Sequence, residues 1–289
     1  MDRVKLILLI GAPGSGKTTY ATKYIEEHPG TVYLSSDRIR FELWDNEATQ
    51  GDNNEVFYRM QTRAVNALNF GSDVIYDSTN ICRKDRASII AACPKFVHIE
   101  AHVIWAPIET CIQRDASRKR TVGKAVIDKM LKRFQPPFYD EGLDEIKIII
   151  PEDFDANEYY NKYYDAMKIP HDNPNHTYDV DKHCAEALNY SLDKRFNSNV
   201  KYAAMIHDIG KPYTKAFVDS KGNTCETAHY YQHQCLGAYI AYGIYPDPYI
   251  AWLVGAHMEP FFNSKYYKNL PYFLKKDIDS LHEADLNAH

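Results

Sequence analysis

Apolar residues in the first half of the chain come in short runs separated by helix-length amphipathic stretches. Residues 4–10 (VKLILLI) form an apolar run, the pattern of a strand buried on both faces of a parallel sheet. Residues 18–27 contain neither Gly nor Pro and read as a helix. Strands follow at 31–34, 73–76, 96–105 and 147–150, and a helix at 54–70. The stretch 109–133 reads as helix-like. Strands alternating with helices predict an α/β domain with a parallel sheet flanked by helices. Residues 151–175 hold a Tyr-rich helix (Tyr159, Tyr160, Tyr163, Tyr164), read as packing domains together in preference to stacking bases. From residue 179 onward the apolar spacing becomes helical, and an all-α bundle is expected. The implied organisation is a domain over 1–150, a linker and helix over 151–170, and a second domain over 171–289.

The first strand runs into Gly11-Ala-Pro-Gly14-Ser15-Gly16-Lys17-Thr18, with Thr19 next. This matches the phosphate-binding pattern G-x-x-x-x-G-K-[ST] between a strand and a helix. The glycines let backbone amides wrap a phosphate at a helix N-terminus. Lys17 is expected to reach the β and γ phosphates of ATP, and the Thr18 hydroxyl to hold magnesium. Asp37 lies just past the second strand, at the edge of the sheet where such folds place ligands. There it is suited to accept a proton from an attacking hydroxyl. Arg40 is one helical turn further on and suited to an acceptor phosphate. The 109–133 stretch is strongly basic. Within it Arg114 and Arg118 stand at i and i+4, as a lid closing over ATP requires to neutralise a transferring phosphoryl group.

The second half changes the chemistry. Residues 1–150 carry 21 basic and 20 acidic side chains, and residues 151–289 carry 13 and 19. The second half is therefore acidic, yet nine of the chain's 12 histidines lie from His171 onward. His183, His207-Asp208, His233, His257 and Asp285 recur at intervals of about one helix plus a connection. Each falls in the apolar register of its own helix, so these polar groups point into the bundle. A shared metal removes the cost of burying them. The mix of imidazole and carboxylate suits one or two ions of manganese, iron, nickel, cobalt or zinc. His229 is read as a neighbour one turn before His233, and His171 and His176 either line the site or belong to loops. No apolar run approaches the roughly 18 residues of a membrane span, and the six scattered Cys are read as reduced thiols of a cytoplasmic protein.

The motifs of residues 4–150 resemble the 5′-hydroxyl polynucleotide kinases of end-healing enzymes. The likeness rests on the glycine loop, Asp37 with Arg40, the Asp77-Ser78-Thr79-Asn80 turn, and Arg114 with Arg118. It implies Asp37 as general base, Arg40, Thr79 and Asn80 toward the acceptor, and the two lid arginines toward ATP. The role of Asp77 stays open, because some relatives place the turn's carboxylate one position later, where this chain has Ser78. The order His183, His207-Asp208-Ile209-Gly210-Lys211, Asp285 resembles the HD superfamily of metal-dependent phosphohydrolases. That likeness implies His183, His207, Asp208 and Asp285 on a first metal, His233 and His257 on a second, and Lys211 against a substrate phosphate. Together the two resemblances imply an α/β P-loop kinase domain followed by an HD helical bundle. The implied enzyme phosphorylates 5′-hydroxyl ends of RNA or DNA with ATP and Mg²⁺ and removes phosphate from 2′,3′ ends. A separate ligase is expected, since the chain contains no Asp-Gly pair for a Lys-x-Asp-Gly motif. Two other readings stand beside it: a small-molecule or nucleoside kinase fused to an HD nucleotidase, and a nucleotide-gated signalling protein.

Overall fold

The computed structural model describes residues 3–47, 49, 51–174 and 177–288; His176 lies outside them. The chain forms two units, one of residues 1–130 and 137–152, the other of residues 131–136 and 153–289. The chain thus enters the second unit twice.

The first unit is built on β1 (Lys5–Ile10), α1 (Lys17–Glu27), β2 (Val32–Ser35), α2 (Ser36–Trp44), α3 (Asn53–Asn69), β3 (Val74–Asp77), α4 (Arg83–Ala92), β4 (His98–Ile104), α5 (Ile108–Ala116), α6 (Lys124–Leu131) and β5 (Glu145–Ile149). Its sheet is parallel throughout, in the order β2-β3-β1-β4-β5. Leu6 to Ile10 are fully buried, which is why β1 carries no polar alternation. Strand order reverses at β1, so the crevice beyond its carboxyl end is the natural ligand position. Helix α3 lays Val56, Met60, Ala64 and Leu68 into the core at four-residue spacing, and the Asp52 carboxylate caps its start.

The stretch 109–133, expected as one helix-like lid, is two helices. Asp115 is buried, and its carboxylate accepts from the amides of Val122 at 3.0 Å and Gly123 at 2.9 Å. That turns the chain back on itself, and Gly123 takes the left-handed conformation the turn needs (φ 86°). Basic residues 83–86 open a helix. Arg86 is fully buried and forms a two-pronged pair with Glu141 at 2.7 and 2.6 Å. Arg86→Ala leaves a buried carboxylate unmatched and is expected to destabilise the first unit by about 3–5 kcal/mol. Urea unfolding measures this, and a cost below about 1 kcal/mol would contradict it.

The second unit contains α7 (Ala156–Ala166), α8 (Val180–Asp193), α9 (Ser198–Ile206), β6 (Lys215–Val218), β7 (Thr224–Tyr230), α10 (His233–Ile244), α11 (Pro248–Ala256), α12 (Glu259–Phe262), α13 (Lys265–Lys268) and α14 (Tyr272–Leu286). It departs from the all-helical expectation through the antiparallel β6–β7 hairpin. Asp219 closes that turn by accepting from the amides of Lys221 and Asn223 at 2.8 Å each, with Gly222 left-handed. Tyr159 and Tyr163 of α7 are buried within this unit, Tyr163 against Tyr213. Phe134 packs edge-on against Tyr239 and Tyr242 of α10, which anchors the early segment 131–136 here. Gly210 lets the loop after α9 approach the start of α10. A Cβ there would lie 2.2 Å from the His233 carbonyl oxygen. Among the described residues no helix is long and apolar enough to cross a membrane.

Candidate active sites

At the carboxyl end of β1 the loop 11–18 turns into α1. Gly14 (φ 82°) and Gly16 (φ 106°) are left-handed, and a Cβ on Gly14 would strike the Cys111 carbonyl oxygen at 2.1 Å. The loop shape therefore requires glycine twice. The Lys17 ammonium donates to the carbonyls of Gly11 at 2.7 Å and Ala12 at 2.9 Å. Burial pushes its pKa below the ordinary lysine value, with the Asp77 carboxylate the main counterweight. A phosphate would supply the missing anionic charge. Ser15 Oγ is buried and has no hydrogen-bond partner, a second polar group suited to a phosphate oxygen. Thr18 is next along α1, and its side chain acts to lower the Asp77 pKa. Burial raises the Asp77 pKa, against the opposing effects of Lys17 and of the Tyr33 hydroxyl, which donates to Asp77 Oδ2 at 2.6 Å. A hydroxyl beside a buried carboxylate, next to a phosphate-binding loop, is a donor set that fits magnesium. Thr19 follows in the first turn of α1 and is exposed.

Asp37 lies in the first turn of α2 and is half exposed. Its Oδ1 is 3.2 Å from Arg40 and 3.2 Å from Arg120. Arg40 is buried, donates to Asn53 at 3.0 Å, and keeps Nε without a partner. Arg114 Nη1 lies 3.9 Å from where a Gly16 Cβ would stand. Arg118 falls beyond the end of α5, in the segment between α5 and α6, so it does not share a helix face with Arg114. Its charge nonetheless acts on Lys17. The Thr79 carbonyl accepts from the Gly11 amide at 3.1 Å. Asn80 is buried in a left-handed turn (φ 47°), its amide donating to Leu9 O at 2.7 Å and accepting from Ser78 at 2.7 Å. Its side chain is thus occupied in shaping the turn. Sequence reasoning gave no role to Arg120 or Tyr33. Arg120 belonged to a basic run with nothing to single it out, and Tyr33 is one strand residue among several.

In the second unit four imidazoles meet in pairs. His183 and His207 bring their Nε2 atoms to 3.3 Å, and His233 and His257 to 3.1 Å. The Nδ1 of each faces a backbone carbonyl, of Ala288, Ala204, Tyr230 and Val254 respectively, at 2.7–3.0 Å. A carbonyl only accepts, so each Nδ1 carries a proton, and in the neutral ring Nε2 presents the lone pair. Asp208 stands between the pairs. Its Oδ2 is 3.3 Å from His207 and 3.5 Å from His183, and its Oδ1 is 3.2 Å from His233 and 3.8 Å from His257. Asp285 Oδ1 is 2.9 Å from His183 and 3.5 Å from His207.

Facing lone pairs and two carboxylates in a buried space repel unless cations or protons lie among them. Protons meet this need only in part. Burial disfavours charge on His207, but Asp208, Cys184 and Asp285 together outweigh it and raise the pKa well above the ordinary value. Burial and the neighbouring His233 and His207 push His257 down to about 3. Backbone-oriented imidazoles with bare Nε2 atoms and a shared carboxylate are the donor set divalent transition metals take. The residues therefore fit metal, with His183, His207, Asp208 and Asp285 in one group and Asp208, His233 and His257 in the other.

Lys211 Nζ is buried, 2.6 Å from Asp208 Oδ2 and 3.1 Å from His171 Nε2. His171 holds the Tyr178 carbonyl through Nδ1 at 2.7 Å, and burial with the adjacent Lys211 pushes it down to about 4. It therefore joins the site as a neutral acceptor for Lys211. His229 lies on β7, not a helix, and stacks on Tyr231 with centroids 5.4 Å apart. A third cluster, His98, Glu100 and Glu145, has its central carboxylate occupied by ammonium groups: Lys5 at 2.8 Å and Lys147 at 2.7 Å from Glu100.

Residues 6–137, rather less than half of the chain, match a family model described as an AAA domain. With its glycine loop and five-stranded parallel sheet, the first unit fits a P-loop kinase fold. No curated protein sequence matches. Among solved structures, a Pnkp1/Rnl/Hen1 RNA repair complex is 22% identical over 46% of this chain and 44% of that one (TM-score 0.43). A fungal RNA kinase is 15% identical over 51% and 74% (TM-score 0.38). The APS kinase CysC of Mycobacterium tuberculosis, bound to AMPPNP and APS, is 20% identical over 57% and 98% (TM-score 0.39). The chain spans about two fifths of the length of the repair-complex chains it matches (40% and 44%).

Proposed function

We propose that this chain is a bifunctional nucleic-acid end-healing enzyme. Its first unit is an ATP-dependent 5′-hydroxyl polynucleotide kinase. Its second unit is a metal-dependent phosphohydrolase of the HD type that acts on 2′,3′-cyclic phosphate or 2′(3′)-phosphate ends. The observation that carries this reading is the pair of polar constellations built in one chain: a glycine loop with Asp37, Arg40 and Arg120, and two imidazole pairs about Asp208.

In the kinase, Lys17 and the loop amides bind the β and γ phosphates of ATP, with Thr18 and Asp77 toward magnesium. Magnesium supplies charge neutralisation when bound. Arg114 and Arg118 offset the charge on the transferring phosphoryl group. Asp37 takes the proton of the attacking hydroxyl. The guanidinium groups of Arg40 and Arg120, held by Asp37 when no acceptor is bound, are also the groups an acceptor phosphate attracts. In the phosphohydrolase, the six ligand residues hold one or two ions, whose chemistry when bound is to polarise a phosphate oxygen and lower the pKa of water. Lys211, oriented by Asp208 and His171, directs an ammonium at the substrate phosphate. The substrates are RNA or DNA ends, and sealing belongs to a separate ligase.

The test supplies ATP, magnesium and manganese with an oligonucleotide bearing a 5′-hydroxyl and a 2′,3′-cyclic phosphate. The expected product carries a 5′-phosphate and no phosphate at its other end. Phosphorylation of free nucleosides or sugars with no label on the oligonucleotide would overturn the polynucleotide assignment.

A further inference from the structure

The second unit is acidic overall, yet stretches of it are basic, and one of these begins just after His257. Residues 260–276 carry four lysines and no acidic side chain, together with six aromatic residues. Phe261, Phe262, Tyr272 and Phe273 are 52%, 59%, 81% and 64% exposed, far more than such rings keep when their role is packing. The lysines alternate with them along α13 and the start of α14. Lys265, Lys268 and Lys276 are exposed, and Lys275 lies over the Tyr267 ring at 4.6 Å. The nearest acids in sequence have partners: Glu259 accepts from Ser264, Asp277 from Asn197 and Tyr249, and Asp279 from Tyr267.

This strip runs up to the histidine site. Helix α12 begins two residues after His257. The Phe261 ring stands edge-on to His282 with centroids 4.4 Å apart, and His282 is one turn before Asp285 on α14. The Asp285 side chain is 13% exposed, whereas His233, the next most open of the six ligand candidates, is 6%. The most open of the six is thus the one that lies a single turn from the His282 ring on which Phe261 packs. From Asp285 back to Phe273, α14 extends about 18 Å.

We propose that this strip is a binding surface for single-stranded nucleic acid, which leads the 3′ end of a polynucleotide into the histidine site. The inference rests on the reading of that site as a phosphohydrolase, and it assigns a strand, not a mononucleotide, as the substrate. Exposed rings stack on bases whatever their sequence, and the lysines between them follow the phosphates. A patch of positive charge in a unit acidic overall selects a polyanion over an acidic or neutral protein surface.

The experiment uses the full chain and a fluorescent single-stranded RNA with a 3′-terminal phosphate. In one arm 5-iodouridine replaces each of the nucleotides nearest the 3′ end in turn, and crosslinks are mapped by mass spectrometry. They are expected on Phe262, Tyr272 or Phe273. In a second arm, Phe262→Ala/Tyr272→Ala/Phe273→Ala is expected to weaken RNA binding on the order of tenfold or more. Lys268→Gln/Lys276→Gln is expected to lower the slope of log affinity against log salt by about 0.7 per lysine. Both variants alter exposed side chains and keep the fold, which circular dichroism checks. Both should hydrolyse bis(p-nitrophenyl) phosphate with added manganese as the wild type does.

Wild-type RNA affinity in both variants, with crosslinks elsewhere, overturns the surface while leaving the hydrolase reading intact. A change from dimer to monomer at unchanged RNA affinity overturns it in favour of contact with a second copy. Failure of the wild type to hydrolyse the small ester with any metal removes the hydrolase reading instead, and with it the route to the site.

Discussion

Asp208→Ala is expected to abolish phosphate-ester hydrolysis and strip the second unit of bound metal, while ATP-dependent phosphorylation continues. Among the described residues, Asp208 is the one carboxylate with an oxygen toward each imidazole pair. It also holds the Lys211 ammonium. Its loss therefore removes a shared ligand and frees the group directed at the substrate. Metal-ion catalysis contributes several kcal/mol of transition-state stabilisation, so the loss in kcat is expected to be on the order of 10³-fold or more. Manganese-reconstituted wild type should hold about two ions per chain in this reading, and the variant none. His233→Ala, which touches one pair only, should lose one ion along with activity. A single tightly held ion in both wild type and His233→Ala would reduce the site to one metal and make His233 a substrate contact. Loss of kinase activity in folded Asp208→Ala would contradict the independence of the two sites.

Lys17→Ala is expected to remove phosphoryl transfer with little loss of stability. Lys17 is partly buried, and burial already works against its charge, so the folded protein gives up little when it goes. Its two carbonyl partners belong to the loop itself, and these contacts are the ones a nucleotide's phosphates would replace. Removing one preorganised donor from a developing charge costs about 10²–10³ in kcat. The check is a pair of measurements on one protein: initial rates of 5′-end labelling, and a thermal melt. A variant that retains rates within a few-fold of wild type would show that the loop does not bind the transferred phosphate. A variant that melts far below wild type would show that Lys17 holds the fold. Asp37→Asn on the same substrate then isolates the proton acceptor, since the amide keeps the shape of the carboxylate and loses its basicity.

Much of this was legible along the chain because it is local. The run at 4–10 is apolar because Leu6 to Ile10 are buried on both faces of β1, and burial on both faces leaves no alternation to misread. The glycine loop is legible because its conformation tolerates no side chain at Gly14. The spacing of His183, His207-Asp208, His233, His257 and Asp285 carried the cluster, since one helix per ligand brings each to a common centre. Other features depended on contacts between distant residues. The helix-like stretch 109–133 is divided in two by the carboxylate of Asp115 reaching amides seven and eight residues on, which side-chain periodicity does not report. The β6–β7 hairpin rests on a turn closed by Asp219, in a region expected to be helical throughout. The partner of Asp37 in the lid segment, Arg120, is one cation among many in the sequence. His171 gained its partner only when Lys211, forty residues away, was folded against it.

What the sequence determined by itself is therefore the inventory: a phosphate loop on a buried strand, and a set of inward-facing imidazoles and carboxylates on successive helices. Backbone conformation and helical periodicity act over a few residues, and they leave their mark in the order of residue types. Tertiary structure alone decided which carboxylate is shared, which nitrogen of each histidine is free, and which arginine meets Asp37. Those outcomes depend on distances of about 3 Å between groups far apart in the chain, and hydrogen bonds and ion pairs fall off too steeply to be read from spacing.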